Sequence, residues 1–213
     1  MDWATIFVVF VIVFSIFSTS HQDPQKTFLE KPTRLSRPAK IISQNIDASM
    51  TAQIPSYDVT NLNTYQIITS YIMDNFSTVP IGDVLTIAEN IIVYSNIYNL
   101  DPLLMTSLIA VESEFNKGAV SPSGAKGLGQ LMDFNLQCYK VTNAFDIEQN
   151  IRGTCTMMRE LLDTWKGDVQ YSLASYFEGV NAIIRKKDNP FSEKTTRYVY
   201  KVMSRYEVLK QYK

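Results

Sequence analysis

The stretch that decides the fold is Asp101-Pro102-Leu103-Leu104-Met105-Thr106-Ser107-Leu108-Ile109-Ala110-Val111-Glu112. Its start is marked twice. An aspartate can accept hydrogen bonds from the orphan N–H groups of a first turn, and a proline at the first helical position gives up no needed donor. The helix that follows, Leu103 to about Phe115, is apolar on almost every face until Glu112. A helix with no polar face is one that a domain wraps around, so a buried central helix is expected.

Helical periodicity continues on both sides. Thr64 to Phe76 carries Tyr65, Ile67, Ile68, Tyr71, Ile72 and Phe76, and Ile81 to Tyr98 carries Val84, Leu85, Ile87, Ala88, Ile91, Ile92 and Tyr94; both are apolar stripes at helical spacing. Downstream, Pro122, Gly124, Gly127 and Gly129 mark a loop. Further helices are expected from about Leu131 to Val141, from Asp146 through about Trp165 with Gln149 at the capping-box position, over Val169 to Phe177, and from Ser192 onward. No pair of alternating strands joined by a hairpin turn is found. The expected class is all-α.

Composition removes several function classes. With 20 basic and 21 acidic residues the formal charge is −1, which gives no electrostatic reason for nucleic-acid binding. The single histidine, His21, lies near the end of the N-terminal apolar segment, so a Ser-His-Asp triad or a histidine-rich metal site in the folded part is ruled out by inventory. Two cysteines, Cys138 and Cys155, leave two readings open: one disulfide in an oxidising compartment, or two free thiols.

Trp3 to Ser20 contains no charge, and Ile6 to Phe17 is almost wholly apolar. Residues 1–20 read as a membrane anchor or export signal; the absence of a basic n-region favours an uncleaved anchor. Lys26, Lys31, Arg34, Arg37 and Lys40 follow it, an arrangement that would hold that side in the cytoplasm. Residues 21–57 are polar, with Pro24, Pro32, Pro38 and Pro55, and read as a linker. The folded domain is expected over 58–213.

The chemistry-bearing observation is where a carboxylate sits. Glu112 ends the apolar helix. Burial disfavours the ionised form, so such a carboxyl can hold a proton near neutral pH and act as a general acid. The competing reading is a solvated glutamate at a frayed helix end. Around it stand Glu112-Ser113-Glu114-Phe115-Asn116, then Ala119-Val120-Ser121-Pro122-Ser123-Gly124-Ala125-Lys126-Gly127-Leu128-Gly129-Gln130-Leu131-Met132. Phe145 to Ile151, Gly153-Thr154, Ser172 to Gly179 and Thr195-Thr196-Arg197-Tyr198-Val199 follow in order.

This ordered set resembles the soluble lytic transglycosylase family, which shares the goose-type lysozyme fold; the resemblance covers roughly residues 99–206. It implies a lysozyme-like helical domain acting on the glycan strands of peptidoglycan, with Glu112 as the catalytic acid/base and Ser113 beside it to orient substrate or carboxylate. Gly127, Leu128 and Gln130 match a motif whose loop and glutamine line the sugar cleft. Tyr176 and Gly179 match an alanine-tyrosine-asparagine-x-glycine motif, and Tyr198 matches a late tyrosine whose hydroxyl lies near the catalytic carboxylate. The alternative for both tyrosines is a core aromatic with a wet hydroxyl. Two departures stand out. Gly129 replaces the usual methionine, which is expected to loosen the loop, and Phe177 replaces the usual asparagine. Glu114 and Glu178 read as surface charges.

The resemblance implies a one-acid mechanism that ends in a 1,6-anhydro sugar, with no metal or organic cofactor. A hydrolytic lysozyme of the same fold would need a second acid, for which Asp133 and Glu178 are the candidates. A non-catalytic wall-binding or assembly protein is the third reading. The expected partners are peptidoglycan strands, and a membrane through the N-terminal segment. The setting is wall remodelling, a secretion or conjugation apparatus, or a virion, with the domain on the periplasmic side or in the particle. No nucleic-acid partner is expected.

Overall fold

The computed structural model describes residues 56–186 and 191–212, with side chains from residue 61 onward. The apolar segment 1–20 and the linker up to residue 55 lie outside the described residues, and no described helix is long and apolar enough to cross a membrane.

Eight helices make up the described chain: α1 (Ser56–Asn75), α2 (Ile81–Ile97), α3 (Pro102–Glu112), α4 (Asp133–Cys138), α5 (Ile147–Thr164), α6 (Val169–Glu178), α7 (Val180–Arg185) and α8 (Glu193–Lys210). The all-α expectation holds. The only β features among the described residues are two isolated bridges, Val120 with Lys126 and Lys126 with Leu131.

Helix α3 is the centre. Asp101 caps it, accepting from the Leu103 N–H at 2.8 Å, and seven consecutive residues, Leu104 to Ala110, are buried. A helix can bury every side of itself only if neighbours cover each side; α1, α2 and α8 supply that cover. Ile68, Tyr71 and Ile72 of α1 are all nearly inaccessible to solvent, as are Val199 and Val202 of α8. A second layer forms where α5 packs on α2 and α6, and α6 in turn packs on α8.

Helix α3 stops three residues before the expected Phe115. Ser113 closes it through its N–H to the Ile109 carbonyl at 3.1 Å. Glu114 and Phe115 then take left-handed backbone, with φ of 52° and 60°. Such a pair costs roughly 2–4 kcal/mol. The reversal carries Phe115 inward to 1% exposure, edge-on to Phe76 at 5.0 Å between ring centroids. Burial of a phenylalanine and an edge-to-face pair together contribute about the same amount. Turn hydrogen bonds from Asn116 N–H to the Ser113 carbonyl and from Ala119 N–H to the Asn116 carbonyl favour the reversal further.

Four other expectations differ. Helix α1 starts at Ser56, eight residues before the expected Thr64 and inside the expected linker. The segment expected as one helix from Leu131 to Val141 holds only the six residues of α4. Leu131 is taken up in the bridge with Lys126, and Lys140 turns left-handed at φ 54° so that Val141 can re-enter the core. Gln149 does not close a capping box: the Asp146 N–H already bonds the Asn143 carbonyl, and Gln149 Oε1 instead accepts from Thr142 N, Thr142 Oγ1 and Asn143 N. Helix α7, which periodicity did not reveal, follows directly on Gly179 and buries only Ile183.

Candidate functional site

Glu112 is the last residue of α3, half-buried, with the apolar helix behind it. Tyr198, on the second turn of α8 and 7% exposed, donates its hydroxyl to Glu112 Oε1 at 2.5 Å. Burial raises the Glu112 carboxyl to about 7, and the Tyr198 hydrogen bond acts in the opposite direction by favouring the carboxylate. A group in that range both gives and takes a proton near neutral pH. No second carboxylate among the described residues contributes to the shift.

Tyr176, in the last turn of α6, also faces this carboxylate. Burial, and then the Glu112 charge, raise its phenol well above 10, so it stays protonated. Its hydroxyl donates to the Gly129 carbonyl at 2.6 Å. Tyr176 therefore ties α6 to the glycine-rich loop, while Tyr198 ties α8 to the acid.

The loop itself is fixed from below by α5. Asn150, 1% exposed, accepts from the Gly129 N–H at 2.8 Å and donates to the carbonyls of Ala144 (2.8 Å) and Lys126 (3.1 Å). All three bonds replace backbone partners that a loop cannot supply to itself. Gly127 sits at φ 74°, where a Cβ would also meet the Ala144 carbonyl at 2.2 Å. At Gly129 a Cβ would lie 1.9 Å from Thr154 Oγ1.

These contacts correct the looseness expected at Gly129 and set what the other motif residues touch. Gly129 does not loosen the loop; it is the position where loop and α5 touch too closely for any side chain. The Leu128 side chain is fully buried in the core. Gln130 bends back on its own loop, donating to the Gly127 carbonyl at 2.9 Å and the Ala119 carbonyl at 3.3 Å. The Ser113 hydroxyl is turned to the Ile109 carbonyl at 3.4 Å, on its own helix. Gly179, at φ 87°, ends α6.

Phe177 is 46% exposed, and its ring stacks on that of Tyr198 with centroids 4.6 Å apart and planes 17° from parallel. Glu178 is engaged by Lys186 Nζ, Ser192 Oγ (2.8 Å) and Thr195 Oγ1, and of these Lys186 and Ser192 hold its carboxyl below the usual range. It is a strut between α6 and α8 rather than a free surface charge. Asp133 is paired with Lys126 at 2.5 Å on an exposed edge. Cys155 is buried and Cys138 exposed, both as free thiols, so the disulfide alternative is not realised. Among the described residues no cluster of His, Cys, Asp or Glu is arranged to hold a metal ion.

Residues 89–199 match the family model of the transglycosylase SLT domain. The chain belongs to that family. The matched span of the SLT domain runs from the middle of α2 into α8, and so contains Glu112, the loop, Tyr176 and Tyr198. A transglycosylase of Enterobacteria phage PRD1 is 39% identical over 112 residues, covering 53% of this chain and 40% of the phage protein. The membrane-bound lytic murein transglycosylase F of Pectobacterium atrosepticum is 32% identical over 107 residues, covering 44% of this chain and 22% of that protein. The SLT chain thus spans less than half the length of either relative.

Among solved structures, the 70 kDa soluble lytic transglycosylase of Escherichia coli superposes with a TM-score of 0.54 at 17% identity, over 68% of this chain and 29% of that one. The lytic transglycosylase Slt of Pseudomonas aeruginosa gives 0.51 at 19%, over 57% and 23%. At these identities the likeness establishes the fold.

Asn150 and Thr154 lie within the family-like runs, and sequence reasoning assigns neither a role. The available signal was Asn150 itself, a poor helix former placed one turn into α5 beside apolar Ile151.

Proposed function

We propose that this domain is a peptidoglycan lytic transglycosylase that cleaves the β-1,4 bond between N-acetylmuramic acid and N-acetylglucosamine, with Glu112 as its single acid/base. The observation that carries the proposal is a half-buried carboxyl poised near neutral pH, with a tyrosine hydroxyl on one oxygen and no second carboxylate among the described residues acting on it.

Protonated Glu112 gives its proton to the glycosidic oxygen as the C1–O bond breaks, and N-acetylglucosamine leaves with a free 4-hydroxyl. The muramic acid C1 becomes cationic, and the substrate's own N-acetyl oxygen shares that charge. Glu112, now a carboxylate held by the Tyr198 hydroxyl, takes the proton of the 6-hydroxyl on the same sugar as its oxygen bonds to C1. The ring closes as 1,6-anhydro-N-acetylmuramic acid, the acid is regenerated, and water is not consumed. Ser113, Gly127, Leu128, Gln130 and Tyr176 act in this scheme by shaping and holding the walls around the acid rather than by reacting.

A hydrolytic outcome would need a second carboxylate to activate water. Both sequence candidates are engaged elsewhere: Asp133 with Lys126, and Glu178 with Lys186, Ser192 and Thr195. That supports the anhydro product. The names of the relatives, one from a phage and one membrane-bound, support a role in local opening of the wall, with residues 1–20 as the tether.

The test is digestion of purified peptidoglycan followed by mass spectrometry. Muropeptides ending in 1,6-anhydro sugar, absent with Glu112→Gln, are expected. Reducing ends would replace this reading with the hydrolase. Glycan binding without turnover, unchanged in Glu112→Gln, would replace it with the non-catalytic binder.

A further inference from the structure

Phe177 stands where the family usually has asparagine, and its contacts are unlike those of a polar cleft residue. One face of its ring lies on Tyr198, and Tyr198 in turn holds Glu112. The neighbouring residue, Glu178, grips Ser192 and Thr195 at the start of α8, one turn before Tyr198. The end of α6 thus meets α8 at two adjacent points, one polar and one aromatic. Phe177 is also 46% exposed, so core burial is a weak reason for a phenylalanine there.

We propose that Phe177 is a positioning residue for the acid: its ring clamps Tyr198 in the rotamer that keeps the tyrosine hydroxyl on Glu112. A tyrosine side chain has more than one staggered rotamer, and a parallel aromatic stack favours the bound one by roughly two- to tenfold. Phe177 has no polar atom with which to act on Glu112 itself. The titratable groups facing Glu112 are Tyr198 from α8 and Tyr176 from α6; those facing Tyr198 are Glu112 and Tyr176. Phe177 therefore acts through the Tyr198 hydroxyl or not at all. The inference rests on Glu112 being the acid, but the clamp is a relationship between side chains that exists with or without turnover.

The test is a double-mutant cycle on the full-length chain with two readouts: the titration of Glu112, followed by carbon-13 NMR of its side-chain carboxyl, and kcat/KM on peptidoglycan. Phe177→Ala is expected to raise the Glu112 pKa in the same direction as Tyr198→Phe and to lower kcat/KM by roughly two- to tenfold. In the Tyr198→Phe background, Phe177→Ala is expected to change neither quantity. Phe177→Tyr, which keeps a ring on Tyr198, is expected to retain the wild-type Glu112 titration.

An unchanged or lowered Glu112 pKa in Phe177→Ala, or an equal effect with and without the Tyr198 hydroxyl, would overturn the clamp. Circular dichroism checks that the variant folds, as the exposure of Phe177 leads us to expect. If the wild-type protein releases no glycan fragments, the function proposed above fails while the titration still decides the clamp.

Discussion

Tyr198 and Glu112, 86 residues apart in the chain, meet through a 2.5 Å hydrogen bond in which the phenol donates to the carboxyl oxygen. The bond opposes the effect of burial on the same group. Burial favours the protonated acid needed to start the reaction, and the phenol favours the carboxylate left when the proton has been given away.

Tyr198→Phe removes the second effect and keeps the first. The Glu112 pKa is then expected to rise above about 7, so the alkaline limb of the rate profile moves to higher pH. The plateau rate falls on the order of tenfold, because a hydrogen bond to a charged group has been lost. The pH dependence of kcat/KM on peptidoglycan checks both; an alkaline limb that stays in place would break the link between Tyr198 and the acid.

The raised pKa also has a consequence for stability. In the unfolded chain Glu112 ionises near its ordinary 4.5, in the folded chain near 7. The folded state therefore binds the proton more tightly. Its stability contribution is fully present below pH 4.5 and is lost as pH rises through 7. Glu112→Gln, which cannot ionise, is expected to be more stable than wild type at pH 8, by on the order of 2 kcal/mol after allowing for partial solvent contact. At pH 4 the two should match. Urea unfolding at both pH values measures the difference.

Gly129 has no room for a side chain against Thr154. Gly129→Ala is expected to destabilise the protein by roughly 1–3 kcal/mol through overpacking, and to disturb the Asn150 and Tyr176 hydrogen bonds on either side of it. Thr154→Ala in the same chain removes the two closest atoms and should recover part of the loss. Thermal denaturation of the single and double variants tests this; equal melting temperatures for Gly129→Ala and wild type would show that the loop has slack.

The two cysteines should behave differently towards a thiol reagent. Cys138 is exposed and Cys155 is fully buried, with burial raising the Cys155 thiol far above its ordinary range. One thiol per chain is expected to react in native protein and two after unfolding. No reaction in the denatured, unreduced protein would mean a disulfide after all.

The apolar pattern together with helix-start residues, Asp101-Pro102 and Asp146 among them, places α2, α3, α5, α6 and α8 to within a few residues. It failed where a tertiary contact outweighed the local preference. Phe115 leaves the helix to reach Phe76, Leu131 leaves the expected α4 to pair with Lys126, and α7 has too little buried surface to show a period.

The sequence by itself determined that a carboxylate ends a nearly all-apolar helix, and it supplied the ordered motifs in which Tyr176 and Tyr198 could be named. Both are properties of residue type and order, which need no coordinates. Only the tertiary structure decided what those residues touch. It placed Tyr198 on Glu112 and Tyr176 on the loop, turned Glu178 into a strut, and made Gly129 a close contact instead of a hinge. It also set Phe177 against Tyr198. Each of these depends on how α5, α6 and α8 lie around the end of α3, and contacts between elements far apart in the chain leave no period for the sequence to show.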